Sequence, residues 1–127
     1  MIVGVIENSV HPYLKLNVVA NGNQEELKFL VDTGFDGEIA LSYEMADHFD
    51  LEPLQSLQIT YASGESREEL VAEGKIVWFG QERQVVVLLS NDEKPAIGTQ
   101  LLRECLMIMD FPMGLLTLEN KAKDATF

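Results

Sequence analysis

Hydrophobic and polar positions alternate with a period of two along much of this chain. The segment from Tyr13 to Ala20 alternates in this way, and apolar positions return between Leu27 and Val31. Asn21-Gly22-Asn23 separates the two segments, and Asn-Gly tolerates the positive φ angles that two-residue hairpin turns require. The pattern therefore predicts a β-hairpin in the first quarter of the chain.

Further strands and two short helices are predicted along the rest of the chain. The predicted strands span residues 38–41, 57–61, 69–79, 84–89, 106–110 and 115–119. One short helix follows Ser42 as its N-cap and extends to Phe49, and a second spans 99–104. The tail, residues 120–127, is expected to be loosely ordered. No linker or low-complexity segment interrupts the chain, so we expect one all-β domain over residues 1–127.

Composition and charge limit the partners that such a domain can bind. Of its 127 residues, 46% are apolar and 24% are charged, which is typical of a soluble globular protein. The net charge of -12 comes from 21 acidic and 9 basic residues. Nucleic acids and anionic membranes select basic patches, so we expect neither as a partner. Two identical copies would also repel each other, so any dimer needs a well-packed interface.

The expected location follows from what the chain lacks in sequence. The longest apolar run, Val85 to Leu89, is far too short to cross a membrane. The N-terminal segment has neither the basic start nor the small-residue cleavage site of a signal peptide. The single cysteine, Cys105, cannot form an intrachain disulfide. We therefore expect a reducing, cytoplasmic setting.

The most informative motif is a run of three apolar residues, Phe29-Leu30-Val31, that leads directly into Asp32-Thr33-Gly34. A buried strand that ends in a carboxylate places that carboxylate on a rigid support. Gly34 permits close approach of another chain, because it has no Cβ. A second apolar segment ending in glycine, Ala96-Ile97-Gly98, follows in the last third of the chain.

These two segments resemble those of retropepsin-like aspartic proteases, and the resemblance extends over roughly residues 13–119. It implies a closed β-barrel in which the downstream segment packs beneath the catalytic loop. In that family two Asp-Thr-Gly loops face each other, and this chain has one copy, so the resemblance implies a homodimer. It assigns catalysis to Asp32 and makes Thr33 and Gly34 the rest of the active-site loop. The Thr33 hydroxyl would bond across the dimer to the facing loop.

Two facing carboxylates have a chemistry that one carboxylate lacks. Like charges within hydrogen-bonding distance cannot both ionise, so the pair shares one proton and titrates as a unit. One member can then deprotonate water while the other polarises or protonates the substrate carbonyl. The pair needs no metal or other cofactor, and the resemblance to retropepsin-like proteases implies an aspartic endopeptidase that acts on an extended polypeptide.

Ala62-Ser63-Gly64 lies where this family carries its flap, the hairpin that covers the substrate. The glycine suits a segment whose backbone contacts a peptide, although an ordinary hairpin turn explains the local sequence equally well. Its position between the two glycine motifs favours the flap. We therefore expect Ala62, Ser63 and Gly64 to bind substrate.

Two residues depart from the family pattern. Phe35 stands where Ala or Ser usually follows the motif, so its ring is expected to narrow the cleft or to fill a subsite, and we count it among the substrate-binding residues. Thr99 stands where viral members often carry the Arg that pairs with an Asp near the catalytic loop, which leaves Asp36 without that partner. Both departures indicate a bacterial or archaeal branch rather than a viral enzyme.

The sequence is also compatible with two alternatives to an endopeptidase. One is a dimeric peptide-binding or regulatory module of the same fold, weak or inactive as a catalyst because Phe35 obstructs the cleft. The other is a monomeric β-barrel in which Asp32 only caps a turn. The remaining reactive residues have no metal-site spacing. His11 and His48 are expected to be surface residues, and Cys105 is expected to be a small buried thiol.

Overall fold

The computed structural model describes residues 1–92 and 94–122, and nearly all of its regular structure is β. The strands are β1 Ile2–Glu7, β2 His11–Ala20, β3 Asn23–Val31, β4 Ile39–Ser42, β5 Pro53–Thr60, β6 Ser66–Trp78, β7 Gln81–Ser90, β8 Ala96–Ile97, β9 Cys105–Asp110 and β10 Leu115–Asn120. The helices are α1 Tyr43–His48 and α2 Thr99–Leu102. The expected all-β class with two short helices is therefore confirmed. Neither helix in these ranges is long and apolar enough to cross a membrane.

The first predicted hairpin is present as β2 and β3, which pair antiparallel from Tyr13 opposite Leu30 to Ala20 opposite Asn23. Its two-residue turn has positive φ at Asn21 (53°) and Gly22 (76°), as its sequence predicts. The N-cap of α1 is also present, because the Ser42 hydroxyl accepts a hydrogen bond of 3.0 Å from the Met45 N–H.

Several boundaries differ from those that the pattern predicts. β1 was not predicted, since its outward side chains are as apolar as its inward ones. The turn before β7 consists of Phe79 and Gly80, both with positive φ, so Phe79 is not the last residue of a strand as the range 69–79 predicts. Helix α2 ends at Leu102, two residues earlier than expected. The tail was expected to be loosely ordered from residue 120, but the Lys121 N–H donates to Glu104 O at 2.8 Å, so regular contacts extend beyond this position. Residues 123–127 lie outside the described range.

The strands form one sheet in the order β5-β6-β7-β4-β8-β3-β2-β1-β10-β9. β8 lies between β3, to which it is parallel, and β4, to which it is antiparallel. This short strand thus passes between two strands that are consecutive in sequence, and it contacts the segment that joins them. β6 also pairs with β2 where Val18 lies opposite Ile76, so the sheet curls back on itself.

The apolar core has two parts. The main cluster fills the interior of the curled sheet and contains the most deeply buried side chains, among them Phe29, Leu14 and Ile97, each 0% exposed. A smaller cluster is formed by Phe35, Val71 and Leu88 and lies next to the segment that follows Asp32. Each fully buried large apolar side chain stabilises the fold by roughly 1.5–3 kcal/mol, so the main cluster provides most of the rigidity.

Candidate active site

Asp32 directly follows β3, and its backbone is fixed while its side chain is exposed. Its N–H donates to Ile97 O in β8 at 2.9 Å, and its own carbonyl accepts from the Phe35 N–H at 3.2 Å. The Gly34 N–H donates to Asp32 Oδ1 at 2.9 Å. The carboxylate is thus oriented by its own turn, and its Oδ2 has no hydrogen-bond partner among residues 1–92 and 94–122.

β8 and the start of α2 hold the rest of this loop from below. The Gly98 N–H donates to Glu38 O at 2.9 Å, the Thr99 N–H to Phe35 O at 2.8 Å, and the Gln100 N–H to Gly37 O at 3.1 Å. Three consecutive amides therefore bind three carbonyls of the segment between Asp32 and β4. This is the packing that the family resemblance implied for Ala96-Ile97-Gly98.

The close approach of these two segments requires glycine at position 98. A Cβ there would lie 2.3 Å from Gly37 O, 2.5 Å from Phe35 O and 2.6 Å from the Phe35 ring. Two of these three atoms belong to the backbone and cannot rotate away. Gly98 is therefore needed for space rather than for an unusual φ angle.

The Phe35 ring lies in the smaller cluster and lines the cleft, as expected for a residue outside the main core. However, only 6% of the residue is exposed, so it is also a structural residue. The ring packs over Gly37, where a Cβ would lie 2.4 Å from its Cζ. Phe35 therefore serves as the floor of the cleft and not as an obstruction at its rim.

The predicted flap is the hairpin of β5 and β6, with residues 61–65 at its tip. The Tyr61 N–H donates to Glu65 O and the Gly64 N–H to Tyr61 O, both at 2.9 Å, and Gly64 has a φ of 86°. Tyr61 forms an isolated β-bridge with Phe35. Ala62 reaches the loop as well, because a Cβ at Gly34 would lie 3.1 Å from the Ala62 Cβ. The tip thus lies directly over the loop that carries Asp32.

The loop and the flap enclose a cleft of ≈ 400 Å³. It is lined by Asp32, Gly34 and Phe35 of the loop, by Tyr61, Ala62 and Ser63 of the flap, and by Ala40, Leu88, Ser90, Asp92, Lys94 and Ala96 of the walls. The structure therefore brings Ala62 and Ser63 together with Asp32, as expected. Gly64 is not part of the lining and instead shapes the turn of the flap.

Tyr61 connects the tip of the flap to its second strand. Its hydroxyl donates to Glu69 Oε1 at 2.8 Å, and the Arg67 guanidinium lies 5.2 Å from the centre of its ring. Burial, followed by the hydrogen bond to Glu69, raises the pKa of Tyr61 above its ordinary value. The phenol therefore stays protonated over the whole pH range in which a carboxylate pair would act.

Thr33 and Thr99 have different surroundings. Thr33 is exposed, and within residues 1–92 and 94–122 its hydroxyl has no hydrogen-bond partner. The Thr99 hydroxyl donates to Phe35 O at 3.3 Å and so holds the loop without a charge. Asp36 is exposed and takes part in no ion pair within the described part of the chain, as the replacement of Arg by Thr99 predicts.

Glu38 is a structural residue of this region that the sequence did not reveal. Its carboxylate accepts from Arg83 Nη2 at 3.0 Å and from the Val86 N–H at 2.8 Å, and its side chain is only 14% exposed. These bonds connect the segment that follows the Asp32 loop to β7. The hydrogen bonds of Glu38 could not be predicted from the sequence, because the parallel pairing of β4 with β7 joins residues almost fifty positions apart.

His11, His48 and Cys105, which were not expected to take part in catalysis, lie outside the cleft. His48 pairs with Glu25 at 2.9 Å, and His11 is exposed at the start of β2. Burial raises the pKa of the Cys105 thiol above its ordinary value, which favours the protonated form near neutral pH. Among the residues that the structure describes, no group of three or more His, Cys, Asp or Glu side chains could hold a metal ion.

No sequence profile of a known protein family matches the chain, and no curated protein matches its sequence. Solved structures do match its fold. A retropepsin-like aspartic protease from Rickettsia conorii superposes with a TM-score of 0.62 at 21% identity, over 92% of this chain and 88% of that one. The EIAV protease, complexed with the inhibitor HBY-793, gives a TM-score of 0.59 at 18% identity, over 76% of this chain and 89% of that one. The chain therefore has the retropepsin-like fold, which confirms the resemblance inferred from its motifs.

Proposed function

We propose that this protein is an aspartic endopeptidase that hydrolyses peptide bonds in an extended polypeptide. Its active site would be formed by the Asp32 loops of two identical subunits. The observation that carries the proposal is the position of Asp32, exposed in a cleft, on a loop fixed by β8 and beneath a hairpin. If Asp32 only capped a turn, the fold would not require the cleft, the flap or the three hydrogen bonds donated by the backbone amides of residues 98–100.

The chemistry follows from two carboxylates that share one proton. The ionised carboxylate takes a proton from water, and the protonated one donates to the carbonyl oxygen of the peptide bond. The free Oδ2 of Asp32 is available for the facing carboxylate, and the unpartnered Thr33 hydroxyl is available for the facing loop. General acid–base assistance of this kind contributes about 10²–10⁴-fold to the rate, and orientation contributes the remainder.

The substrate class follows from the shape and lining of the cleft. An extended peptide would bind between the flap and the loop and present alternate side chains to each. Phe35 and Leu88 offer an apolar floor, while Asp92 and Lys94 place both signs of charge at one wall. Neither nucleic acid nor a membrane is expected as a partner, because the net charge is -12.

The remaining features belong to the same proposal. The pairing of Val18 with Ile76 supports a closed barrel, since it connects β6 back to β2. We assign residues 1–127 to one domain and place the protein in the cytoplasm, where a single free cysteine stays reduced. The resident site uses no cofactor, because the carboxylate pair supplies both the acid and the base.

Replacement of Asp32 by Asn tests the assignment. An amide matches the carboxylate in shape but can neither share the proton nor deprotonate water, so Asp32→Asn should lose all cleavage of an unfolded protein at mildly acid pH. Pepstatin-type inhibitors should block the wild type. Asp36→Asn is the matched control, because it removes an exposed carboxylate four residues away that does not line the cleft. Cleavage by purified Asp32→Asn at the wild-type rate would refute the assignment.

A further inference from the structure

One face of the flap is directed toward the cleft, and Tyr61 lies at the tip end of that face. Side chains two residues apart in a strand share a face, so Tyr61 shares a face with Ile59. By the same spacing, Glu69 shares a face with Val71. Val71 belongs to the smaller apolar cluster that contains Phe35, and Ile59 packs against it. Tyr61 itself lines the cleft. A peptide bound beneath the flap would therefore meet this face.

The Tyr61 side chain is held by polar contacts that a phenylalanine could not make. Its hydroxyl donates to Glu69 Oε1 at 2.8 Å, in a partly buried position. The Arg67 guanidinium lies 5.2 Å from the centre of its ring, and Arg67 Nε in turn pairs with Glu65 Oε1 at 3.3 Å. The ring is thus directed away from the tip and back along β6, and its hydroxyl end is attached to that strand.

The backbone of Tyr61 contacts the catalytic loop at the same time. It forms the isolated β-bridge with Phe35, and the next residue, Ala62, lies against Gly34. One residue therefore joins the loop through its backbone and the second strand of the flap through its side chain. Loss of the side-chain bond should loosen the position of the tip relative to Asp32.

We propose that Tyr61, held by Glu69, is a positioning residue that keeps the flap arranged over Asp32 before a substrate binds. The inference rests on the proposed function, because its kinetic consequence requires a protease. A peptide binds to the arranged flap, so apparent affinity falls in proportion to the time that the flap spends otherwise. Once the peptide is bound, its own contacts hold the flap, and the rate of bond cleavage changes little.

Removal of the hydroxyl tests this role with the ring kept in place. Tyr61→Phe should raise KM for a peptide substrate by about 3–10-fold with little change in kcat, which is the scale of one hydrogen bond. Glu69→Ala removes the acceptor and should have the same effect, and the double variant should be no worse than either single one. Glu69→Gln should restore most of the affinity, because its amide oxygen can still accept from the phenol. Effects that add in the double variant would contradict the pairing.

The flap carries a matched control on its opposite face. The hydroxyls of Thr60 and Ser66 lie 3.1 Å apart in an exposed hydrogen bond, next to Tyr61 in the chain. Thr60→Val removes this bond and keeps the β-branched shape, so KM should stay at the wild-type value. An equal rise in KM for Thr60→Val and Tyr61→Phe would overturn the proposal. A fall in kcat at unchanged KM in Tyr61→Phe would also overturn it, because that is the result of lost active enzyme.

Hydrogen exchange gives a readout that does not depend on activity. It is measured by mass spectrometry on peptides that cover residues 57–69, in an Asp32→Asn background that prevents self-cleavage. Adding Tyr61→Phe should speed exchange in this segment and leave the β2–β3 hairpin unchanged, since the tip opens locally more often. Adding Thr60→Val should have the smaller effect.

The outcomes separate this inference from the proposed function. If the wild type cleaves protein while Tyr61→Phe has unchanged KM and unchanged exchange, the role of Tyr61 is wrong and the function stands. If Tyr61→Phe speeds exchange of the flap but the wild type cleaves no protein, the positioning of the flap stands and the proposed function fails.

Discussion

At the scale of single residues, the loop that carries Asp32 depends on the fit of one ring between two glycines. Phe35 occupies the space that side chains at Gly37 and Gly98 would need. The sequence could identify the motif and the departure at Phe35, because both are local. It could not show that the ring is buried, since burial depends on Val71 and Leu88, which come from other strands.

Truncation of the ring is the first prediction at this scale. Phe35→Ala should lower the free energy of unfolding by about 3 kcal/mol, because it empties a site that is only 6% exposed. Urea denaturation followed by fluorescence would measure the loss. Val86→Ala, which removes an apolar side chain that is 45% exposed, serves as the comparison and should cost far less. A loss below about 1 kcal/mol would show that the ring is not part of a packed cluster. Because the ring also lines the cleft, the same substitution should change the substrate range as well.

The two glycines should respond differently when Phe35 is also replaced. The three atoms nearest to a Cβ at Gly37 all belong to the Phe35 ring, whereas two of the three nearest to a Cβ at Gly98 are the carbonyl oxygens of Gly37 and Phe35. Gly37→Ala should therefore be destabilising alone and much less so in a Phe35→Ala background, with a coupling of about 1–3 kcal/mol. Gly98→Ala should stay destabilising in both backgrounds. A double-mutant cycle by urea unfolding measures the coupling, and equal coupling for the two glycines would contradict this account.

At the scale of strands and helices, the sequence predicted those elements whose position follows from the local pattern of residues. The hairpin of β2 and β3 follows from alternation around Asn-Gly, and the start of α1 follows from Ser42. The polar ends of β6 and β7, such as Arg67 and Glu82, were missed, because strand ends in exposed hairpins carry no apolar alternation. β1 was missed for the opposite reason, since both of its faces are apolar.

Helix α1 is attached to β3 by an ion pair whose strength depends on pH. The hydrogen bond from His48 to Glu25, followed by their charge interaction, raises the pKa of His48 above its ordinary value of about 6.5. A histidine whose pKa is raised by folding stabilises the fold fully below the pKa of the unfolded chain. That contribution is lost as the pH rises through the higher pKa of the folded state.

The stability difference between the wild type and His48→Gln should therefore be larger at pH 5.5 than at pH 8.5. Thermal or urea unfolding at both pH values measures this difference. His11→Gln is the control, because His11 is exposed and makes no ion pair among the described residues. A difference for His48→Gln that is constant with pH would show that the pair with Glu25 does not form in solution.

At the scale of the whole molecule, the arrangement that creates the site depends on distant pairings. β8 enters between β3 and β4, and β4 pairs in parallel with β7. Neither pairing has a local signal, and only the resemblance to a known family indicated the first. Tyr61, Ser90 and Lys94 were therefore not identified as residues of the cleft, although Tyr61 directly precedes the predicted flap.

Association of two such molecules should strengthen with salt. Each copy of the chain carries a net charge of -12, so two copies repel each other at low ionic strength. Raising the ionic strength from 0.1 M to 1 M shortens the Debye length from about 10 Å to about 3 Å and screens this repulsion. The dimer dissociation constant, measured by sedimentation in sodium chloride, should therefore fall as salt is added.

The choice of salt separates screening from a general strengthening of apolar contacts. Sulfate enhances burial at any interface, whereas sodium chloride at moderate concentration acts mainly by screening. Sodium chloride at moderate concentration should therefore be enough to tighten the dimer. Association that weakens with added sodium chloride would mean that opposite charges dominate the interface, and the repulsion expected from the net charge would then not control the assembly.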